Sequence, residues 1–188
     1  MLKYIALGVA LTLAVALIGA FLLVLSGFIP ANADAKPGRL ETWMADTSLE
    51  ATLRREAPKA QNPIALTEPN LLDGVHLYAK NCAVCHGSAK GNVSASPIAK
   101  GLYPKPPQLA TDGVEDDLES HLFWKIKHGI RLTGMPSFGN ALNDQEVWTL
   151  VLFLKHMSKL PPTVMQSWQK VRNWPVTSGE PGGLEKAL

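Results

Sequence analysis

A small all-α domain carried behind one apolar N-terminal helix is the architecture this chain predicts, and three observations predict it. From Tyr4 to Ile29 there is no charged side chain. Further on, apolar residues recur at the three- and four-residue intervals that align them on one helix face, in segments separated by Gly- and Pro-rich stretches. No stretch keeps the apolar–polar alternation of a strand, and no internal repeat recurs.

With 188 residues and a formal net charge of +2, the chain has room for one modest domain once its apolar start is set aside. The charge is too near balance to argue for a nucleic-acid partner. Its distribution says more. No acid lies between Asp73 and Asp112, where Lys80, Lys90, Lys100 and Lys105 fall, and none between Glu119 and Asp144, where Lys125, Lys127 and Arg131 fall.

Residues 1–30 read as a transmembrane anchor, because the charge-free run is long enough to cross roughly 30 Å of hydrocarbon as a helix. Lys3 precedes it and places the N-terminus on the inner side; Pro30 stops it. Ala31-Asn32-Ala33 has the form of a signal-peptidase site, but the run exceeds the roughly 7–15 residues of a secretory apolar region. A retained anchor is expected, with cleavage after Ala33 as the alternative. Either fate carries the remainder across a membrane.

Residues 31–69 form a tether interrupted by Pro37, Pro58, Pro63 and Pro69. A short helix is expected within it, capped by Thr47 with Glu50 and carrying Leu49 and Leu53 on one face. The core module covers residues 70–160. Its first helix, about Asn70 to Asn81, aligns Leu71, Val75 and Tyr78. An irregular loop from Gly87 to Thr111 follows. A helix over about Asp116 to His128 aligns Leu118, Leu122, Phe123 and Ile126 and is capped by Gly129. The last core helix starts at an Asn143 cap with Glu146, presents Val147, Leu150, Val151 and Leu154, and is stopped by Pro161-Pro162. Residues 161–188 form an extension in which Val164, Trp168 and Val171 share a face, with the last dozen residues expected to be disordered.

Between the first core helix and the loop stands Cys82-Ala83-Val84-Cys85-His86, which contains both of the chain's 2 cysteines. This is the spacing at which haem is attached covalently. Two thiols three positions apart on one helical turn each reach one vinyl group, and the adjacent imidazole reaches the iron. Zinc would require two further ligands at finger-like spacing, which His76, His121, His128 and His156 do not offer. A redox dithiol calls for a βαβ setting that is missing here, and a structural disulfide leaves His86 without a role. The implied cofactor is one haem c.

The order of helix, CxxCH, proline loop, methionine loop and final helix over residues 70–160 resembles class I cytochrome c, in particular the membrane-anchored bacterial members associated with respiratory oxidases. The resemblance rests on Cys82, Cys85 and His86 and on Gly134-Met135-Pro136. It implies a class I cytochrome c fold with one covalently bound haem, in which Gly74 and Tyr78 of the first helix cross Leu150 and Phe153 of the last. It implies that a carbonyl of the Pro107-Gln108-Leu109 element accepts the ring N–H of His86, with the Pro106-Pro107 doublet leaving two carbonyls in play. Met135 is the expected sixth ligand, since Gly134 allows close backbone approach and Pro136 stiffens the exit; His128 is the competitor. Arg131 is a candidate partner for a haem propionate or a solvated side chain, and Trp124 a candidate haem-edge donor or a core residue.

A haem closed on one face by nitrogen and on the other by a thioether has no free site for substrate, so the expected function is one-electron transfer, not catalysis. The expected setting is the periplasmic face of a bacterial inner membrane, with a quinol-oxidising complex, a dehydrogenase or a terminal oxidase as partners. Two alternatives stand beside this. One is a cytochrome subunit permanently bound in a respiratory complex; the other is a haem enzyme or gas sensor with a labile sixth ligand. The acid-free, lysine-bearing segments suit an encounter with an acidic partner surface.

Overall fold

The computed structural model describes residues 1–89 and 96–172, and every regular element among them is a helix. Expectations placed on Lys90 and on the end of the C-terminal extension lie outside the described residues. The chain divides into two units, Met1–Lys36 and the part from Pro37 onward.

The first unit is α1, Leu2–Leu25. It is long and apolar enough to cross a membrane, a reach of about 36 Å at 1.5 Å per residue. It ends before Pro30. Ser26 forms the cap, its hydroxyl donating to Leu23 O at 2.7 Å, and Gly27 turns left-handed with φ 72°. A positive φ just after the last helical turn is the usual way to stop a helix with glycine, and it acts here ahead of the proline.

In the second unit, α2 spans Arg39–Glu56 and is much longer than the Thr47 cap implied. It starts where the Glu41 carboxylate accepts the Gly38 N–H at 3.2 Å, so Thr47 falls inside the helix. Glycine has no capping side chain to betray this start, which is why the Thr47–Glu50 pattern misled. The expected stripe does pack: Leu53 is buried and Leu49 half-buried. After α2 the chain is tied down by Asn62, whose N–H donates to Glu119 Oε2 at 3.3 Å and whose amide donates to Trp148 O at 3.0 Å.

Helix α3, Glu68–Asn81, is capped by the Thr67 hydroxyl, and α8, Asp144–Lys155, has the full reciprocal box between Asn143 and Glu146 at 3.0 and 2.8 Å. These two helices form the main packing pair. A Cβ built on Gly74 would stand 2.5 Å from Phe153 Cβ and 2.9 Å from Thr149 O. Only glycine permits so close a crossing. It brings Tyr78 and Phe153 edge to face at 5.5 Å.

The proline loop contains two short helices, α5 (Pro97–Gly101) and α6 (Leu109–Asp112), where an irregular course was expected. Helix α7, Glu119–His128, buries Leu122, Phe123 and Ile126. Leu118 is not part of that stripe, because it stands at the N-cap and is 62% exposed. Phe123 stacks on Trp148 at 4.3 Å, joining α7 to α8. Helix α8 ends at His156, not at Pro161-Pro162; those prolines open α9, Pro162–Lys170. Trp168 of α9 meets Tyr78 at 5.1 Å and Phe153 at 5.2 Å, making a buried aromatic cluster at the α3–α8 crossing.

Gly74→Ala tests the crossing. The added methyl should lower unfolding free energy by about 1–3 kcal/mol through overpacking, despite a helix-propensity gain of up to about 1 kcal/mol. Denaturant midpoints of the two holoproteins measure it.

Candidate haem site

The last turn of α3 runs directly into α4, Ala83–His86, through Cys82, whose N–H donates to Tyr78 O at 2.8 Å. Cys85 N–H and His86 N–H both return to Cys82 O, at 3.0 and 2.9 Å. One tight turn therefore carries all three residues of the motif. Ala83 is buried and fixes the turn to the core, while Cys82, Cys85 and His86 remain partly exposed. Gly87 ends the turn at φ 80°, and its carbonyl accepts the hydroxyl of the fully buried Tyr78 at 3.0 Å. Burial, aided by the neighbouring cysteines, pushes the Tyr78 phenol well up, so it keeps the proton that this bond requires.

No disulfide joins the two cysteines. Burial pushes Cys82 up to about 12, with Cys85 adding to the effect, and burial raises Cys85 as well. These are not activated thiolates of a redox dithiol, whose environment would stabilise the negative charge. Thioether formation removes the ionisable groups altogether.

His86 Nδ1 lies 2.9 Å from Pro107 O, so of the two candidate carbonyls it is that of Pro107 that meets the ring. A carbonyl can only accept, so Nδ1 carries the proton and Nε2 is left with its lone pair. Burial lowers the imidazole pKa, with the Pro107 bond opposing the shift, and the neutral ring is the form that can ligate metal. The donor set thus fits haem c: two neutral thiols on one turn beside an imidazole already oriented by its second nitrogen. Asp112 holds this carbonyl in place. Its carboxylate accepts the Gln108 N–H at 2.6 Å and closes the α6 turn directly after Pro107. No motif marks Asp112, though an acid four residues after Gln108 is the local signal that was available.

The methionine loop leaves α7 at Gly129, which is buried with φ 69°. A Cβ there would lie 2.6 Å from both Pro136 C and Ser137 N and 2.8 Å from Met135 O. Glycine is required twice over, by conformation and by space. Met135 O accepts the Ile130 N–H at 3.2 Å, and Thr133 Oγ1 accepts the Met135 N–H at 3.0 Å. Beyond Pro136 the strand of loop returns to α7: Phe138 N–H donates to Ile126 O at 3.1 Å, Gly139 N–H to Lys127 O at 2.9 Å and Ser137 Oγ to Lys127 O at 2.7 Å. Met135 itself is half-buried against the core. The space at Gly134 is taken by the Leu102 side chain of the proline loop, which a Cβ would strike. Met157 is buried in the core.

Trp124 is half-buried on α7, its ring 5.0 Å from that of His128, which is exposed at the helix end. Arg131 is exposed and has no carboxylate partner among the described residues. Two of the expected rim cations are already paired, Lys125 with Asp117 at 2.9 Å and Lys127 with Asp144 at 2.6 Å. Lys80, Lys100 and Lys105 are exposed.

A helical domain whose CxxCH turn offers two neutral thiols and a carbonyl-oriented imidazole defines a c-type cytochrome. Residues 69–154 match the family model of Cytochrome C oxidase, cbb3-type, subunit III, and the domain is a c-type cytochrome related to cbb3 oxidase subunits. That family carries haem c, and its domain serves as an electron carrier or oxidase subunit, not as a catalyst on its own. No curated protein and no solved structure matches the chain.

Substitution at Gly129 tests the loop. Gly129→Ala should cost about 2–4 kcal/mol, from left-handed strain of about 1–2 kcal/mol plus the clash with residues 135–137. Gly113→Ala also sits at positive φ, 75°, but its nearest neighbour is 3.9 Å away. It should cost only the strain, about 1–2 kcal/mol. Paired denaturation curves separate the two costs.

Proposed function

We propose that this chain is a membrane-tethered monohaem electron carrier. Cys82 and Cys85 hold the haem covalently, and His86 and Met135 supply the two axial ligands. Haem c supplies a one-electron couple when bound. The single observation that carries the reading is the hydrogen bond from His86 Nδ1–H to Pro107 O on the same turn as both thiols, which leaves Nε2 free to donate. The Thr133 and Gly129 contacts that shape the loop around Met135 support the thioether as the opposite ligand. A soft sulfur ligand favours the ferrous state and raises the potential relative to a second imidazole. Trp124 and Arg131 complete the haem surroundings in this reading.

The domain plan is an anchor over residues 1–30, a tether over 31–69, the cytochrome domain over 70–160 and a C-terminal extension. The anchor keeps the haem domain on the periplasmic face of the inner membrane, where it passes electrons from a quinol-oxidising complex or dehydrogenase to a terminal oxidase. Tethering restricts the search to the membrane surface and raises the effective concentration near partners. A second reading, a permanently bound oxidase subunit, is favoured by the match to a subunit model. Copurification stoichiometry distinguishes the two.

Met135→Ala tests the ligand assignment. The sulfur-to-ferric-iron charge-transfer band at the red edge of the visible spectrum should vanish, the potential should fall, and the iron should become open to carbon monoxide. Survival of the band rejects Met135. A second measurement tests the partner surface. If exposed lysines steer an acidic acceptor, the second-order electron-transfer rate should fall steeply with salt, since exposed charges reach only about 8 Å near physiological ionic strength. Lys100→Glu with Lys105→Glu should slow association and leave the haem spectrum unchanged. A flat salt dependence in both proteins favours the permanent subunit.

A further inference from the structure

Helix α2 is two-faced along its length. Its second half turns Leu49, Thr52 and Leu53 toward the domain, with Leu53 only 3% exposed. Its first half buries nothing, for residues 39–48 are all exposed. Within that half Leu40, Trp43 and Met44 are 67%, 63% and 57% exposed. At about 100° per residue these three fall within an arc of roughly 100°, centred on the side of the helix opposite Leu49 and Leu53. The cytochrome domain thus leaves three large apolar side chains on one continuous outer stripe, spaced i, i+3, i+4.

What covers the stripe follows from how α2 is connected. Residues 26–38 alone join the end of α1 to the start of α2, and even fully extended they reach no more than roughly 45 Å. Pro30, Pro37 and the left-handed Gly27 lie in that link. With α1 spanning a bilayer, that link keeps the start of α2 within reach of the leaflet that α1 leaves. Lys36 and Arg39 flank that start and are the charges lipid phosphates attract. Trp43 has the amphipathic ring that concentrates at membrane interfaces. The acid of the first turn does not oppose the approach, because Glu41 is turned to the domain, accepting the Tyr103 hydroxyl at 2.7 Å. Asp46 falls on the domain side of the helix.

We propose that the Leu40–Trp43–Met44 face of α2 lies in the headgroup region of the membrane in which α1 is anchored. The tether is then a lipid-docking element that seats the haem domain on the bilayer in one orientation. The proposal rests on retention of α1, and intact mass of the membrane-extracted holoprotein establishes it first; a mature chain beginning at Asp34 overturns the docking together with the anchor. The full-length holoprotein is then reconstituted in vesicles of phosphatidylethanolamine and phosphatidylglycerol, with a spin label at Met44→Cys or, as control on the far side of the same helix, at Asp46→Cys. Relaxation by oxygen and by a water-soluble nickel chelate reads depth. The Met44 label should lie roughly 5–10 Å into the headgroup boundary, as an interfacial helix does, and the Asp46 label in water. Adding Leu40→Gln and Trp43→Gln should return the Met44 label to water with the haem spectrum unchanged. Equal aqueous exposure of both labels in vesicles overturns the proposal, as does shielding of the Met44 label from both reagents only in native membranes, which would assign the stripe to a protein.

Discussion

The approach of α3 to α8 at Gly74 governs the geometry of everything around the haem-attachment turn. Because the Phe153 side chain and the Thr149 carbonyl occupy the volume a side chain at Gly74 would need, α3 can sit in only one register against α8. That register buries Tyr78 completely, and Tyr78 in turn binds the carbonyl of Gly87 at the exit of the CxxCH turn. The site is thereby fixed from behind, through a phenol whose burial leaves it nowhere else to bond. Trp168 closes the same aromatic cluster, so α9 contributes to holding the turn although it is distant in the chain.

Around this fixed turn the two loops are positioned by main-chain hydrogen bonds more than by side-chain packing. The Pro107 carbonyl is set by the Asp112 cap of the following turn. The methionine loop is set by donors returned to the last carbonyls of α7, groups a helix end leaves unpaired. Leu102 bridges the loops by filling the space over Gly134. Electrostatics points the same way: burial raises both thiols and lowers the imidazole, which favours the neutral form of each group.

Much of this was legible because it is local. The stripes of α3 and α8, the Asn143–Glu146 box and the Gly129 cap are patterns within one or two helical turns, and each has its expected physical counterpart; the CxxCH residues likewise fall on one turn. The close crossing at Gly74 was legible only through resemblance, since a glycine in a helix does not by itself name what approaches it. The misses are of two kinds. The start of α2 falls at Gly38, which has no side chain to mark it, and the end of α8 at His156, whose ring Nδ1 lies 2.8 Å from Leu152 O in a contact that no sequence motif announces. The pairing of Lys125 and Lys127 with Asp117 and Asp144 and the use of Asn62 as a tie depend on tertiary neighbours, while the Asp112 tie is local but belongs to no recognised motif.

The base and tip of the methionine loop differ in how they are held. At the base, Phe138, Gly139 and Ser137 are hydrogen-bonded to the final turn of α7; at the tip, Leu132 is left-handed, with φ 61°, and 89% exposed. Such a segment does not open one residue at a time. Residues 137–139 carry the bonds that finish α7, so displacement of the loop base and fraying of that helix end are coupled. The tip can fluctuate rapidly while the methionine stays in place, and the lifetime of the closed loop is set by the helix terminus to which it is laced.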